Sequence, residues 1–203
     1  MIKTIKATRM NNAKNKKNCL IIPALMVMII TVCLTACGKK VENPYGQAVA
    51  ALGDDDAYAF LVMDYKYNVL VSSDMLYDSG TERQAAVYCD VYYYAGGEAK
   101  NLGTVMSEGT AYPIAFSKDG IYAASGHCVE KYGISEKDGA LYLEKGVYVN
   151  YDENGTEHYT CVQGGEETDS TEKDFMEMTE EYAAGQIIHF AYGAADCLNE
   201  IQW

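Results

Sequence analysis

The spacing of apolar residues changes character along this chain, and each change predicts a different kind of element. Residues 19–34 form an almost unbroken apolar run of sixteen, shorter than the roughly 20 residues a lasting membrane-spanning helix needs. Residues 44–52 read as a brief helix, with Pro44 in the first turn and Gly53 where a stop belongs. From residue 57 the period falls to two, which is the spacing of a pleated strand. Strands are expected at 58–65, 67–72, 86–95, 101–106, 111–117, 121–125, 128–134, 140–143, 147–151 and 157–162. The clearest is 86–95, where Val87, Cys89, Val91 and Tyr93 share one side and Tyr88, Asp90, Tyr92 and Tyr94 the other.

Turn chemistry punctuates these strands. Gly96-Gly97, Asp119-Gly120, Asp138-Gly139 and Asn154-Gly155 supply the positive φ that tight hairpins demand. The acid-rich stretch 164–170 reads as a loop. Thr171 and Asp174 then form a capping box ahead of an apolar stripe of Phe175, Met178 and Tyr182, flanked by Met176 and Ala183, which ends at Gly185. A last strand over 186–192 and a short helical end at 194–201 complete the pattern. The fold class is therefore mainly β (α+β): an antiparallel meander forming a sandwich or partial propeller, with a short N-terminal helix and one C-terminal helix packed on the sheet.

Charge reinterprets the first segment. Lys3, Lys6, Arg9, Lys14, Lys16 and Lys17 precede the apolar run with no acid among them, and positive charge of that density stays on the cytoplasmic side of a membrane. Leu34-Thr35-Ala36-Cys37 closes the run. With these residues in place, the segment resembles the signal peptide of bacterial lipoproteins, whose lipobox positions are filled by Leu34, Thr35 and Ala36. The resemblance implies that the Cys37 sulfur takes a diacylglyceryl group and that cleavage falls between Ala36 and Cys37. It also implies a cell-membrane location on the extracytoplasmic face, since two or more acyl chains anchor a protein almost permanently. The expected organisation is a signal peptide over 1–36, a lipid-anchored tether over 37–43 and one β-rich extracytoplasmic domain over 44–203.

Without residues 1–36 the chain keeps ten basic and twenty-nine acidic residues, a net charge of −19. Nucleic acid is thereby disfavoured as a partner, because phosphate binding needs clustered Lys and Arg. All eighteen tyrosines lie in this acidic part and suit half-buried pleated surfaces. Tyr92 and Tyr94, rimmed by acids, are the expected contact surface, with a protein, a peptide or a carbohydrate as the classes of partner left open.

No catalytic constellation is legible. No G-x-S-x-G or S-x-x-K pattern places a nucleophile, and His127, His158 and His189 lie far apart, so neither a catalytic site, a metal nor a cofactor is assigned. Cys89, Cys128, Cys161 and Cys197 remain in the exported part; they suit either one or two disulfides or buried thiols, and no C-x-x-C joins them. Asp54, Asp55 and Asp56 read as a solvated loop. The stretch from Asp152 to Glu157 has oxygen ligands at alternate positions but lacks the closing carboxylate of a calcium loop, so a hairpin turn is expected there. Phe60, Asp64 and Val69-Leu70-Val71 give residues 57–71 a partial resemblance to repeats of the FG-GAP and VCBS type, which implies a β fold used in extracellular contacts. Tyr65-Lys66-Tyr67-Asn68 replaces that repeat's calcium ligands, so no metal is carried over. The expected function is a non-enzymatic, membrane-anchored binding module; an envelope enzyme with a dispersed site and a small solute-binding lipoprotein are the alternatives.

Overall fold

A computed structural model describes residues 43–80 and 83–192, which belong to one compact unit. Ala36, Cys37, Cys197, residues 37–42 of the expected tether and the helix expected at 194–201 lie outside the described residues. Two antiparallel sheets face each other in a sandwich. The first has strands β1 (Ala57–Leu61), β2 (Val69–Ser73), β5 (Tyr88–Ala95), β6 (Glu98–Met106) and β14 (Ala191–Tyr192), in the order β14-β1-β2-β5-β6. The second contains β7 (Ala115–Phe116), β8 (Ile121–Ala124), β9 (Cys128–Ser135), β10 (Ala140–Tyr151), β11 (Glu157–Gln163), β12 (Glu166–Asp169) and β13 (Gln186–Ile187), in the order β12-β11-β10-β9-β8-β7-β13. A small hairpin, β3 (Leu76–Asp78) with β4 (Gln84–Ala86), stands apart from both and was absent from the sequence pattern.

One core joins the sheets. Val69, Val71, Cys89, Val91 and Val105 of the first meet Ile121, Ala123 and Ile134 of the second. Burying each of the Val and Ile side chains contributes about 1.5–3 kcal/mol, so period-two alternation is enough to set which face of each strand turns inward. In β5 the alternation holds as expected, with Cys89, Val91 and Tyr93 buried.

The strand expected over 186–192 is corrected: the segment divides between the sheets. β13 pairs with β7, the Ile188 N–H donates to the Ile114 carbonyl (3.1 Å), the Phe190 N–H donates to the Gln84 carbonyl (3.0 Å), and β14 then pairs with β1. Strands expected at 140–143 and 147–151 are one strand, β10, whose register shifts between Leu143 and Lys145. The extra residue, Glu144, exchanges the faces of the strand. Leu141 therefore lies in the inter-sheet core, whereas Val147, an even number of residues away, packs on the outside. The 164–170 loop is also corrected. Gly164 and Gly165, both at positive φ, make a two-residue turn, and Glu166–Asp169 returns as the edge strand β12.

The short helix α1 (Gly46–Ala50) lies on the outside of the first sheet, beside Phe60, Tyr92 and Tyr94. The longer helix α2 (Glu172–Ala184) covers the outer face of the second, seating Met178 on Ala124, Val129 and Val147. Its capping box is formed as the sequence suggests, with the Asp174 N–H donating to Thr171 Oγ1 (3.3 Å) and the Thr171 N–H donating to Asp174 Oδ2 (3.0 Å). Replacing Met178, which is fully buried, by Ala should cost about 3 kcal/mol, and Thr171→Ala about 1 kcal/mol. Urea unfolding followed by far-UV circular dichroism measures both, and equal costs would contradict this account of how α2 is held.

Candidate functional site

Residues 62–68, between β1 and β2, leave the strand expected at 58–65 early and cross to the other sheet. Met63 is buried in the core. The Asp64 N–H donates to the Lys118 carbonyl (2.6 Å), and the Tyr65 hydroxyl accepts from the Ile134 N–H (3.0 Å), where β8 has already ended and offers no strand partner. Tyr65 thus substitutes for backbone. Burial pushes its phenol upward from the ordinary value, although the Ile134 N–H partly offsets this.

The next two residues reach the tip of the β9–β10 hairpin. Glu136 Oε1 accepts from the Tyr93 hydroxyl (2.5 Å) and from the Lys66 N–H (2.7 Å). Tyr93 is 1% exposed and its phenol is pushed far up, first by burial and then by the Glu136 carboxylate. The same pair of donors, Tyr93 first, holds the Glu136 carboxyl below its ordinary range. Glu136 is exposed, and among the described residues its Oε2 accepts no hydrogen bond.

Around this node lies a recess of about 360 Å³, lined by Lys66, Tyr67, Tyr93, Tyr94, Gly96, Gly97 and Glu136 along with Ala95. Its aromatic wall is held edge-on. The Tyr67 ring stands 5.0 Å from Tyr94 and 6.2 Å from Tyr93, centroid to centroid, at 80° and 61°. Lys66 Nζ lies 5.0 Å from the Tyr67 centroid, and among the described residues it makes no ion pair. The floor depends on Gly96 (φ 66°) and Gly97 (φ 97°), because successive positive φ values are strained for any other residue.

A second, more polar cleft of about 430 Å³ opens between the end of α2 and β8, with Lys131 in its wall beside Asp119, Tyr122 and Glu181. Lys131 is sealed. Its ammonium lies 2.8 Å from Asp119 Oδ2 and 3.2 Å from Glu144 Oε1, with its side chain 10% exposed. Burial works against the charged form, but the two carboxylates outweigh it and raise the ammonium's pKa. Asp119 is correspondingly lowered, mainly by Lys131 and next by the Ser117 hydroxyl. The expected positive φ at Gly120 is absent. Glycine is required there because the Lys131 stem passes where a Cβ would sit, 2.6 Å from Lys131 Cε.

The residues singled out from sequence fare differently. Tyr92 and Tyr94 do not project freely: both are half-buried, among the side chains beneath α1. Tyr94 nevertheless reaches the recess wall, and Tyr92 does not line it. Cys89, Cys128 and Cys161 carry free thiols, with Cys89 fully buried. His127 is exposed against the Tyr151 ring (5.6 Å), His158 Nε2 stands 3.7 Å from Asp152 Oδ2, and His189 is half-buried near the small hairpin. Among the described residues no three His, Cys, Asp or Glu gather as metal ligands. Asp152 instead orders its own turn, Oδ1 accepting from the N–H groups of Asn154 and Thr156 (2.8 Å each), and Asp56 Oδ2 likewise accepts from the Gly53 N–H (2.6 Å). Lys66, Tyr67 and Glu136 were missed. The available signal was a lysine between two tyrosines in a loop joining apolar strands, which reads as solvated until the second hairpin tip is placed beside it.

Comparison with known proteins finds no family model, curated protein or solved structure that matches the chain. Functional statements therefore rest on its own residues.

Because the folded Glu136 carboxyl is lowered, its stabilising contribution is present above about pH 4 and is lost as pH falls through the lowered value. The stability difference between the natural chain and Glu136→Gln should therefore shrink from pH 7 to pH 3 in paired urea titrations. A difference that stays constant across that range would contradict the assigned role of the carboxylate.

Proposed function

We propose that this chain is a lipid-anchored extracytoplasmic lipoprotein whose β sandwich is a non-enzymatic binding module, with the recess between Tyr67, Tyr94 and Glu136 as its contact site. The observation that carries the binding role is the construction of that recess. Three separate segments deliver aromatic rings, an ammonium and an oriented carboxylate to one concavity, and convergent polar groups within an aromatic wall are what small-ligand sites require. The leader carries the anchoring. Basic residues, a sixteen-residue apolar run and Leu34-Thr35-Ala36-Cys37 occur in the order that export and acylation need. The strongly acidic exported part adds colloidal stability and repels anionic surfaces, which suits a domain tethered outside an anionic bilayer.

Labelled palmitate supplied to cells expressing the full chain should enter the natural protein and not Cys37→Ser, and the variant should keep its uncleaved leader, with Met1 or its immediate neighbours still detectable by mass spectrometry. Equal labelling of both, or an intact Met1 on the purified membrane form, would remove the anchoring half of the proposal.

A further inference from the structure

We infer that the recess holds a neutral sugar unit, a mono- or disaccharide segment of a carbohydrate. The inference rests on the proposal that this recess is the contact site, and it follows from what the walls can satisfy. One cation, Lys66, and one anion, Glu136, face the same space, so the recess carries no net charge although the exported chain carries −19. A phosphate-bearing ligand meets a single ammonium beside a carboxylate, inside a field that repels it. A cationic ligand could lie over the tyrosine faces, but Lys66 already takes that position at Tyr67. A purely apolar ligand would strip water from Lys66 and Glu136 and give nothing back.

A sugar ring answers each of these groups. Its hydroxyls donate to Glu136 Oε2 and accept from Lys66 Nζ, and hydrogen bonds to ionised partners are about twice as strong as neutral ones. Its C–H faces, weakly positive, lie against the negative faces of aromatic rings. Size agrees as well, since about 360 Å³ is at the small end of the roughly 300–1,000 Å³ range of small-molecule sites. Preorganisation favours binding too. Glu136 is oriented before any ligand arrives, by the hydroxyl of buried Tyr93 and the backbone of Lys66, so little rotamer freedom remains to be lost.

The test uses the full chain purified from membranes in a detergent without a sugar headgroup. Saturation-transfer NMR would be run with methyl glucoside, methyl galactoside, methyl mannoside, N-acetylglucosamine, cellobiose, maltose and chitobiose, with tetralysine as the contrasting probe. At least one sugar should bind with a dissociation constant of about 10 mM or tighter. Lys66→Ala and Glu136→Ala should each weaken it about tenfold or more. Glu153→Ala, at the exposed β10–β11 turn, should leave it unchanged. Lys66 is exposed and its hydrogen bond in the fold comes from its backbone N–H, its side chain adding only the surface contact over Tyr67, so Lys66→Ala remains informative if Glu136→Ala lowers stability. Absence of binding by all seven sugars, or binding indifferent to both recess substitutions, overturns the inference. Tetralysine binding that depends on Glu136, with no sugar bound, overturns the sugar assignment and leaves the recess as the contact site; if no probe responds to either substitution, both fail.

Discussion

The bond from the Tyr93 hydroxyl to Glu136 is the constraint on which the arrangement of this domain turns. Tyr93 stands on the inward face of β5, where alternation demands an apolar residue, and its ring fills that place. Its hydroxyl must then find a partner or cost the fold a desolvated polar group. The partner comes from the opposite sheet, at the β9–β10 tip, and the same carboxylate oxygen receives the Lys66 N–H from the strap that crosses between the sheets. One oxygen thereby fixes three segments of chain. Tyr65 adds a second tie a few residues away, its hydroxyl completing the backbone of β9, and Tyr67 closes the gap with edge contacts to Tyr93 and Tyr94. Sheet packing and recess geometry are consequences of the same contacts.

Much of the fold was legible because burial acts on period. Alternation located the long strands, the Gly-Gly and Asn-Gly turns located two hairpins, and Thr171 with Asp174 located the start of α2. The misreadings fall where geometry overrides that simple period. Glu144 adds one residue to β10, so Leu141 and Val147 break the alternation and the sequence reads as two strands. Residues 186–192 are apolar enough for one strand, yet their backbone partners come from both sheets in turn. The strand β12 is hidden for a different reason. All four of its residues are exposed, so it has no apolar face to give it away.

That edge illustrates how the acidic composition is used. Glu166, Glu167, Thr168 and Asp169 end the seven-stranded sheet, where an unpaired row of N–H and C=O groups would otherwise template pairing with another chain. Carboxylates placed along the edge oppose a second acidic copy and keep the edge hydrated. Others are spent on local order: Asp152 and Asp174 are held below the ordinary carboxylate range, chiefly by the Thr156 backbone and the Thr171 hydroxyl respectively. The high net charge is thus the sum of several local uses, and most of them are structural.

Two lysines show why the recess itself could not be read from the chain. Lys131 and Lys66 each lie near carboxylates and tyrosines once folded, and by composition they are equivalent. Lys131 alternates onto the outer face of β9, where Asp119 and the bulged Glu144 close around it and two carboxylates already neutralise the ammonium. Lys66 uses its backbone N–H to hold Glu136 and leaves its side chain over a tyrosine at the rim of a cavity. The difference between a structural charge and an available one is set by which partners the opposite sheet delivers. That is a property of the sandwich, and it exists only after the strap has crossed.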